Sequence, residues 1–214
     1  SIGEYDAASE SYTLHAGTQA PHVNRSELAR MVFGIPEIQI RVIAPDVGGG
    51  FGMKTGTFPE DALVMWASKR VGRPVSWRAT RSESLVGDDQ ARESVAEAEI
   101  ALDENARILA VRCVALYALG AYIVGSGAIP PLHFGRLIPS VYDIDTVDFT
   151  THGVFTNTPP TTPYRGAGRP EGIYTIERLL DQAAKDMGLD RAEIRRRNFI
   201  PPAAMPYATQ TGFV

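Results

Sequence analysis

Two glycine-rich segments carry the residue types best suited to grip an anionic or oxo-bearing ligand. The first is Asp46-Val-Gly-Gly-Gly-Phe-Gly-Met-Lys-Thr55. Three successive glycines remove every Cβ, so the backbone can approach a ligand closely and aim N–H groups at an anion. A glycine triplet by itself is equally well explained as a tight turn. Lys54-Thr55 imitates the end of a nucleotide-binding P-loop, but counting from Gly48 the glycine required before the lysine is Met53. The G-x-G-x-x-G dinucleotide fingerprint cannot be laid over residues 48–56 either. What remains is a glycine-rich loop with one bulky aromatic, Phe51, inserted. That arrangement suits a close-fitting cofactor with phosphate or oxo groups.

The second segment is Thr156-Asn-Thr-Pro-Pro-Thr-Thr-Pro-Tyr-Arg-Gly-Ala-Gly-Arg-Pro-Glu171. Arg165 and Arg169 flank Gly166-Ala167-Gly168 just ahead of an expected helix N-terminus, a place that favours anions. Pro159, Pro160 and Pro163 stiffen the approach to Arg165. Alone, this too reads as a surface turn with solvated arginines. His15, His22, His133 and His152 have no ligand-like spacing and read as surface or packing residues.

The elements that must position these loops are a mixture of strands and helices. Residues 10–19 alternate polar and apolar and predict a short strand; Ile38–Ile43 alternates likewise and runs into the glycine cluster. Between them, residues 24–33 predict a helix with Asn24 as N-cap, Gly34 as its stop, and Leu28, Met31 and Val32 on one face. Pro59–Gly72 predicts a helix with proline in its first turn, then acids, and Lys69 and Arg70 in its last. A short strand at Val75–Ala79 precedes a hairpin of Glu97–Leu102 and Ile108–Leu119 across Asp103–Ala106. Residues 120–143, rich in glycine and proline at their start, read as loop. Thr146–Phe155 predicts one or two strands, Gly172–Met187 a helix, and Leu189–Arg197 a shorter helix capped by Asp190. Glu177 and Asp181 read as the solvated face of the longer helix. With no regular βαβ rhythm, the fold class expected is α+β, a mixed two-layer domain with antiparallel strands and packed helices.

The composition excludes several classes. Of 214 residues, 44% are hydrophobic and 21% charged, which is the profile of a globular chain and not a disordered one. A formal charge of −4 gives nucleic acid no default attraction, so no nucleic-acid partner is expected. The single cysteine, Cys113, cannot form an internal disulfide, which fits a reducing compartment. No apolar stretch approaches the roughly 20 residues that span a bilayer, so no transmembrane segment is expected. The chain opens at Ser1 with no signal-peptide pattern, as an excised or processed piece would.

Taken together, the two loops say more than either alone. Gly-Gly-Gly-Phe-Gly, then about a hundred residues on Tyr164-Arg-Gly-Ala-Gly-Arg-Pro-Glu171, then Arg195-Arg-Arg-Asn-Phe199, resembles the molybdenum hydroxylases. This is the xanthine dehydrogenase and aldehyde oxidase family, and the match is to the molybdopterin-binding large subunit of its carbon-monoxide-dehydrogenase-like branch. The resemblance runs from Tyr12 to about residue 201, with the motifs in family order. It implies one molybdopterin-binding region over 1–214, divisible into subdomains of about 1–90 and 91–214.

The resemblance also implies roles. Gln19 matches the glutamine that hydrogen-bonds an oxo ligand of molybdenum. Gly49, Gly50, Phe51 and Gly52 match the cofactor loop, with the Phe51 backbone facing the metal. Arg165 matches the arginine whose main chain approaches molybdenum from the opposite side, and Gly166, Ala167 and Gly168 match the active-site loop. Thr55 and Ala167 take the family's substrate-pocket positions. The implied cofactor is molybdopterin cytosine dinucleotide, with iron–sulfur clusters on a small partner subunit and FAD on a medium one. The remainder of the large subunit and a small-molecule substrate complete the partners, and the implied location is the cytoplasm.

The departures narrow the chemistry. Copper-containing carbon monoxide dehydrogenases place a cysteine directly after the Tyr-Arg pair, where this chain has Gly166. Xanthine-type enzymes place a glutamate after the loop lysine, where Thr55 stands, and an aromatic where Ala167 stands. The residues therefore favour an aldehyde or N-heteroaromatic hydroxylase, with water as oxygen source. The family's general-base glutamate belongs to a late glycine-rich motif that this sequence lacks. No catalytic residue is expected here, and the isolated chain is expected to be inactive and to hold no cofactor. The competing reading is a non-catalytic anion- or phosphate-binding module using the glycine loop and Arg165.

Overall fold

A computed structural model describes all of residues 1–214. Two compact units emerge: Ser1–Asp89 with Val124–Ser126, and Gln90–Ile123 with Gly127–Val214.

The first unit is built on a four-stranded sheet in the order β3-β2-β1-β4. Its strands are β1 (Ile2–Asp6), β2 (Ser11–His15), β3 (Ile40–Ile43) and β4 (Val75–Ser76). The β1–β2 and β1–β4 pairs are antiparallel, whereas β2 and β3 run parallel from Tyr12 opposite Ile40 to His15 opposite Ile43. Alternation explains β2: Tyr12, Leu14 and Ala16 share one face and are all buried. They meet Ile40, Leu28, Ala29 and, from helix α2 (Pro59–Val71), Val64 and Met65. Helix α2 has the predicted limits, with proline at its start, Glu60 and Asp61 in its first turn, and Gly72 as its left-handed stop.

Helix α1 departs from prediction. It spans Pro21–Glu27 and widens into a π-helical stretch, Leu28–Phe33, that ends at Gly34. Asn24 is therefore not the N-cap. Proline at the first position needs no hydrogen-bond partner, so the helix starts earlier, and Asn24 is buried inside it. The predicted apolar face is also wrong beyond Leu28. The π widening breaks the 3.6-residue period, so Ala29 is buried while Met31 and Val32 lie exposed. Helix α3 (Arg81–Gly87), which the sequence analysis does not predict, carries a capping box, Thr80 with Glu83.

The second unit has a three-stranded sheet, β5 (Ser94–Leu102), β6 (Ile108–Gly120) and β7 (Thr146–Phe155), in that order. The predicted β5–β6 hairpin forms, and β7 is one continuous strand paired parallel to β6. Val111, Cys113, Ala115 and Tyr117 alternate onto the buried face of β6. They pack against Ile176, Leu180, Ala183 and Ala184 of helix α5 (Arg169–Asp186) and Ile194 of helix α6 (Arg191–Asn198). Burial also pushes the Cys113 thiol up to about 11.

Residues 120–143 are not all loop, since helix α4 (Ile129–Arg136) lies within them. Its Pro130 and Pro131 sit in the first turn, where missing donors do no harm, and Phe134 inserts into the core beside Phe149. Glu177 and Asp181 are not a merely solvated face. Arg195 of α6 pairs with Asp181 at 2.9 Å and with Glu177 at 2.6 Å, and the Tyr142 hydroxyl donates to Glu177.

The α+β class expected from the sequence is the class observed, with one parallel pair in each sheet beside the antiparallel ones. No helix is long and apolar enough to cross a membrane.

Candidate functional site

In the first unit, parallel pairing of β2 with β3 brings two chain exits to one end of the sheet. Ala16 extends the pairing by donating to the Ile43 carbonyl. Beyond that point β2 leads to Gln19 and β3 leads to the glycine loop. The Gly52 amide donates to Gln19 Oε1 at 2.8 Å, and the Gln19 amide donates to the Lys54 carbonyl at 3.0 Å. Gln19 is thus tied to both ends of the loop's last turn.

Gly50 makes this approach possible. A Cβ built there would lie less than 3 Å from the Gln19 side-chain oxygen. The four successive amides of Gly48, Gly49, Gly50 and Phe51 have no intramolecular partner. Phe51 is 57% exposed and holds a left-handed backbone at φ +54°. Thr55 closes the loop, its hydroxyl donating to the Gly52 carbonyl at 2.7 Å. Lys54 does not open a helix: a short turn, Met53–Thr55, precedes α2 at Pro59. That separates the loop from a P-loop physically as well as by spacing.

A buried polar cluster holds Gln19 in place. The Thr18 hydroxyl contacts Asn24 Oδ1 and lies 3.1 Å from the Lys54 carbonyl. Asn24 Nδ2 donates to Thr57 Oγ1, and both the Thr57 amide and its hydroxyl donate to Glu27. Asn24, predicted as a cap, instead braces Thr18, the residue before Gln19. The only sequence signal was an asparagine inside an otherwise helical stretch.

In the second unit, the chain leaves β7 and crosses Pro159–Thr162 to reach the Arg165 loop. Thr161 is buried and donates to the Ala118 carbonyl at 2.6 Å. Gly166, Ala167 and Gly168 all have positive φ, at +104°, +47° and +91°. The Ala167 amide donates to Tyr164 and the Arg169 amide to Gly166. The amides of Arg165 and Gly166 carry no intramolecular partner. Gly168 has a visible packing reason of its own: it is buried, and a Cβ there would collide with the Pro130 carbonyl and the Phe134 amide of α4.

One residue that sequence reasoning missed governs this loop. Arg92 Nη2 donates to the carbonyls of Tyr164 and Arg165, and Nη1 pairs with Glu171 at 3.0 Å. Its guanidinium also lies 4.9 Å from the centre of the Tyr164 ring. Nothing in the local sequence Ala91-Arg-Glu93 marks it, because its partners are more than seventy positions away.

Each loop by itself presents backbone donors, at Gly48–Phe51 in the first unit and at Arg165 and Gly166 in the second, which suits oxo or phosphate oxygens. Gln19 adds a side-chain donor, since its oxygen is engaged by Gly52 and its Nε2 hydrogens are left for another acceptor. These donors fit an oxo-bearing, phosphorylated cofactor.

Comparison with known proteins agrees. A family model of the molybdopterin cofactor-binding domain matches residues 1–199. The chain is 35% identical over 191 residues to subunit gamma of the 6-hydroxypseudooxynicotine dehydrogenase complex of Paenarthrobacter nicotinovorans, covering 89% of this chain and 24% of that protein. It is 35% identical over 215 residues to the carbon monoxide dehydrogenase large chain of Hydrogenophaga pseudoflava, covering 99% and 27%. Among solved structures, quinoline 2-oxidoreductase from Pseudomonas putida 86 superposes with a TM-score of 0.94 at 34% identity, over 99% of this chain and 27% of that one. The chain spans about a quarter of the length of these relatives.

Proposed function

The chain belongs to the molybdopterin cofactor-binding domain family of the molybdenum hydroxylases, and from that premise we propose that it supplies part of the cofactor cradle in an oxidoreductase large subunit. The observation that carries the proposal is the anchored Gln19 amide beside a row of unpartnered glycine-loop amides. In this reading Gly49, Gly50 and Phe51 would hold the cofactor through main-chain groups, Gly52 would keep Gln19 in place through its amide, and Gln19 Nε2 would donate to the cofactor. Arg165 and Gly166 present their amides from the second loop, with Ala167 and Gly168 shaping the turn behind them. The cofactor, when bound, supplies two-electron oxidation of a substrate carbon with oxygen drawn from water. This chain's residues orient that group and leave the general base to another part of the subunit.

The cofactor proposed is molybdopterin cytosine dinucleotide, with iron–sulfur and FAD subunits as electron-transfer partners in the cytoplasm. The substrate class proposed is an aldehyde or an N-heteroaromatic ring. Gly166 in place of a copper-binding cysteine, and Thr55 and Ala167 in the pocket, support that choice over carbon monoxide or xanthine. Among the relatives, the name of the quinoline oxidoreductase fits that choice, while the carbon monoxide dehydrogenase differs from this chain at Gly166 by the residue comparison above.

The test is to express the full-length large subunit with its partner subunits in a host competent for molybdopterin synthesis. Near-stoichiometric molybdenum, with cytidine monophosphate released on acid hydrolysis, is the expected result. A folded subunit that binds inorganic phosphate but never molybdenum would support the anion-binding module instead.

A further inference from the structure

We infer that Arg92 is a positioning residue, one whose guanidinium sets the direction in which the Arg165 loop offers its amides. The inference rests on the cofactor role proposed for that loop. Four observations lead to it.

First, Arg92 reaches the loop along a fixed track. Gln90 donates to the Pro160 carbonyl at 2.8 Å and accepts from the Thr162 amide at 2.8 Å, forming a parallel bridge with Thr161. Two residues later, Arg92 takes a left-handed backbone at φ +64° just before β5 begins. The bridge and the strand hold this unusual conformation between them.

Second, the guanidinium is itself held. Nη1 pairs with Glu171, whose side chain is only 11% exposed. The other oxygen of Glu171 lies 3.4 Å from the hydroxyl of Tyr117, a fully buried residue of the β6 core face. The order of support is Tyr117, Glu171, Arg92, then loop.

Third, both acceptors of Nη2 are main-chain carbonyls of adjacent residues, Tyr164 and Arg165. In a trans peptide the C=O and N–H of one unit point in opposite directions. Drawing these two carbonyls toward Arg92 turns the amides of Arg165 and Gly166 away from it. Those two amides are the ones left without an intramolecular partner.

Fourth, the task requires the planar fork of arginine. One carboxylate and two carbonyls are met in different directions by a rigid set of donors, which the compact ammonium of lysine does not reproduce.

The test uses the full-length holoenzyme with its partner subunits and three variants, Arg92→Ala, Arg92→Lys and Glu171→Gln. Three quantities are read: molybdenum per chain after dialysis, deuterium uptake of the peptide covering 160–170, and the thermal midpoint. Folded Arg92→Ala and Arg92→Lys should lose molybdenum by about 10-fold, the usual scale for removing an outer-shell support. Their uptake over 160–170 should rise, because the Ala167 amide bond to Tyr164 loosens with the carbonyl. Glu171→Gln keeps an oxygen acceptor for Arg92 and should restore most of the wild-type molybdenum. A purely structural role would lower the thermal midpoint and leave the molybdenum content of the folded fraction unchanged. If Arg92→Ala does not fold, Arg92→Lys carries the test. Wild-type molybdenum content and unchanged uptake in a folded Arg92 variant overturn the inference. A molybdenum-free wild type overturns the cofactor reading instead, and the uptake comparison then decides alone whether Arg92 positions the loop.

Discussion

Gln19 and Gly52, 33 positions apart, are joined by a 2.8 Å hydrogen bond from the Gly52 amide to the Gln19 side-chain oxygen. This bond fixes which end of the Gln19 amide faces the loop and which end faces outward. Glutamate at this position would still accept from Gly52 but could not donate. Gln19→Glu should therefore fold normally and keep its glycine loop, yet lose about 10- to 100-fold in turnover by the full-length enzyme. Steady-state kinetics beside a thermal scan check this. Unchanged turnover would remove Gln19 from the site.

Gly168 answers to packing. A Cβ there would meet the Pro130 carbonyl and the Phe134 amide, which are backbone atoms that cannot swing aside, and φ is +91°. Gly168→Ala combines overpacking with a disfavoured backbone and should destabilise the protein by about 3 kcal/mol. Urea denaturation measures it, with a lowered midpoint and an unchanged slope expected.

Asn198 is fully buried, and its side chain completes three bonds. Oδ1 accepts from the Ile108 amide at 2.8 Å, while Nδ2 donates to the carbonyls of Ala106 at 2.7 Å and Ile194 at 2.8 Å. Asn198→Ala strands a buried amide and a buried carbonyl at the start of β6. The expected loss is about 2–4 kcal/mol. A loss under about 0.5 kcal/mol, the range of ordinary surface changes, would contradict this account of the β6 start.

Asp143 gives the acid limb a named contributor. The Tyr207 hydroxyl, then the Arg107 guanidinium, hold its carboxyl below the usual value of 3.8. Because the folded value lies below the unfolded one, the stabilisation is complete above about pH 4 and is lost as pH falls through the folded value. Asp143→Asn should flatten that part of the stability–pH curve and leave its shape near neutrality unchanged. Chemical denaturation from pH 2 to 7 provides the comparison. Parallel curves for the two proteins would show that this carboxyl is not a source of acid sensitivity.

The sequence was most informative where a pattern is local. Alternation at Tyr12 and Leu14 and the proline-to-glycine limits of α2 are visible in a few neighbouring residues, and so is the Asp190 cap, which accepts from the Ala192 and Glu193 amides. The reading failed where distant partners decide. Residues 120–143 read as loop because their periodicity is weak and glycine and proline crowd their start, whereas Pro130 and Pro131 in fact open α4. Asn24 looked like a cap because its partner Thr57 lies 33 residues away. The glycine loop was conspicuous from composition, and so was the Arg165 turn. Of the residues that hold them, Asn24 is marked only as an asparagine inside a helical stretch and Arg92 carries no local mark, since side-chain bonds across the fold are not encoded by spacing.

The central claim is that the glycine-loop amides and Gln19 grip a molybdenum cofactor by close backbone approach. Gly50→Val tests it most directly, because a Cβ there meets the Gln19 side chain at the site itself and not a backbone atom of the core. Molybdenum per chain should be measured in the full-length enzyme, wild type against Gly50→Val, with a thermal scan of each. The account predicts near-stoichiometric metal in the wild type and a loss of about 10-fold or more in the variant, with the thermal midpoint nearly unchanged. Equal molybdenum in both proteins would contradict it.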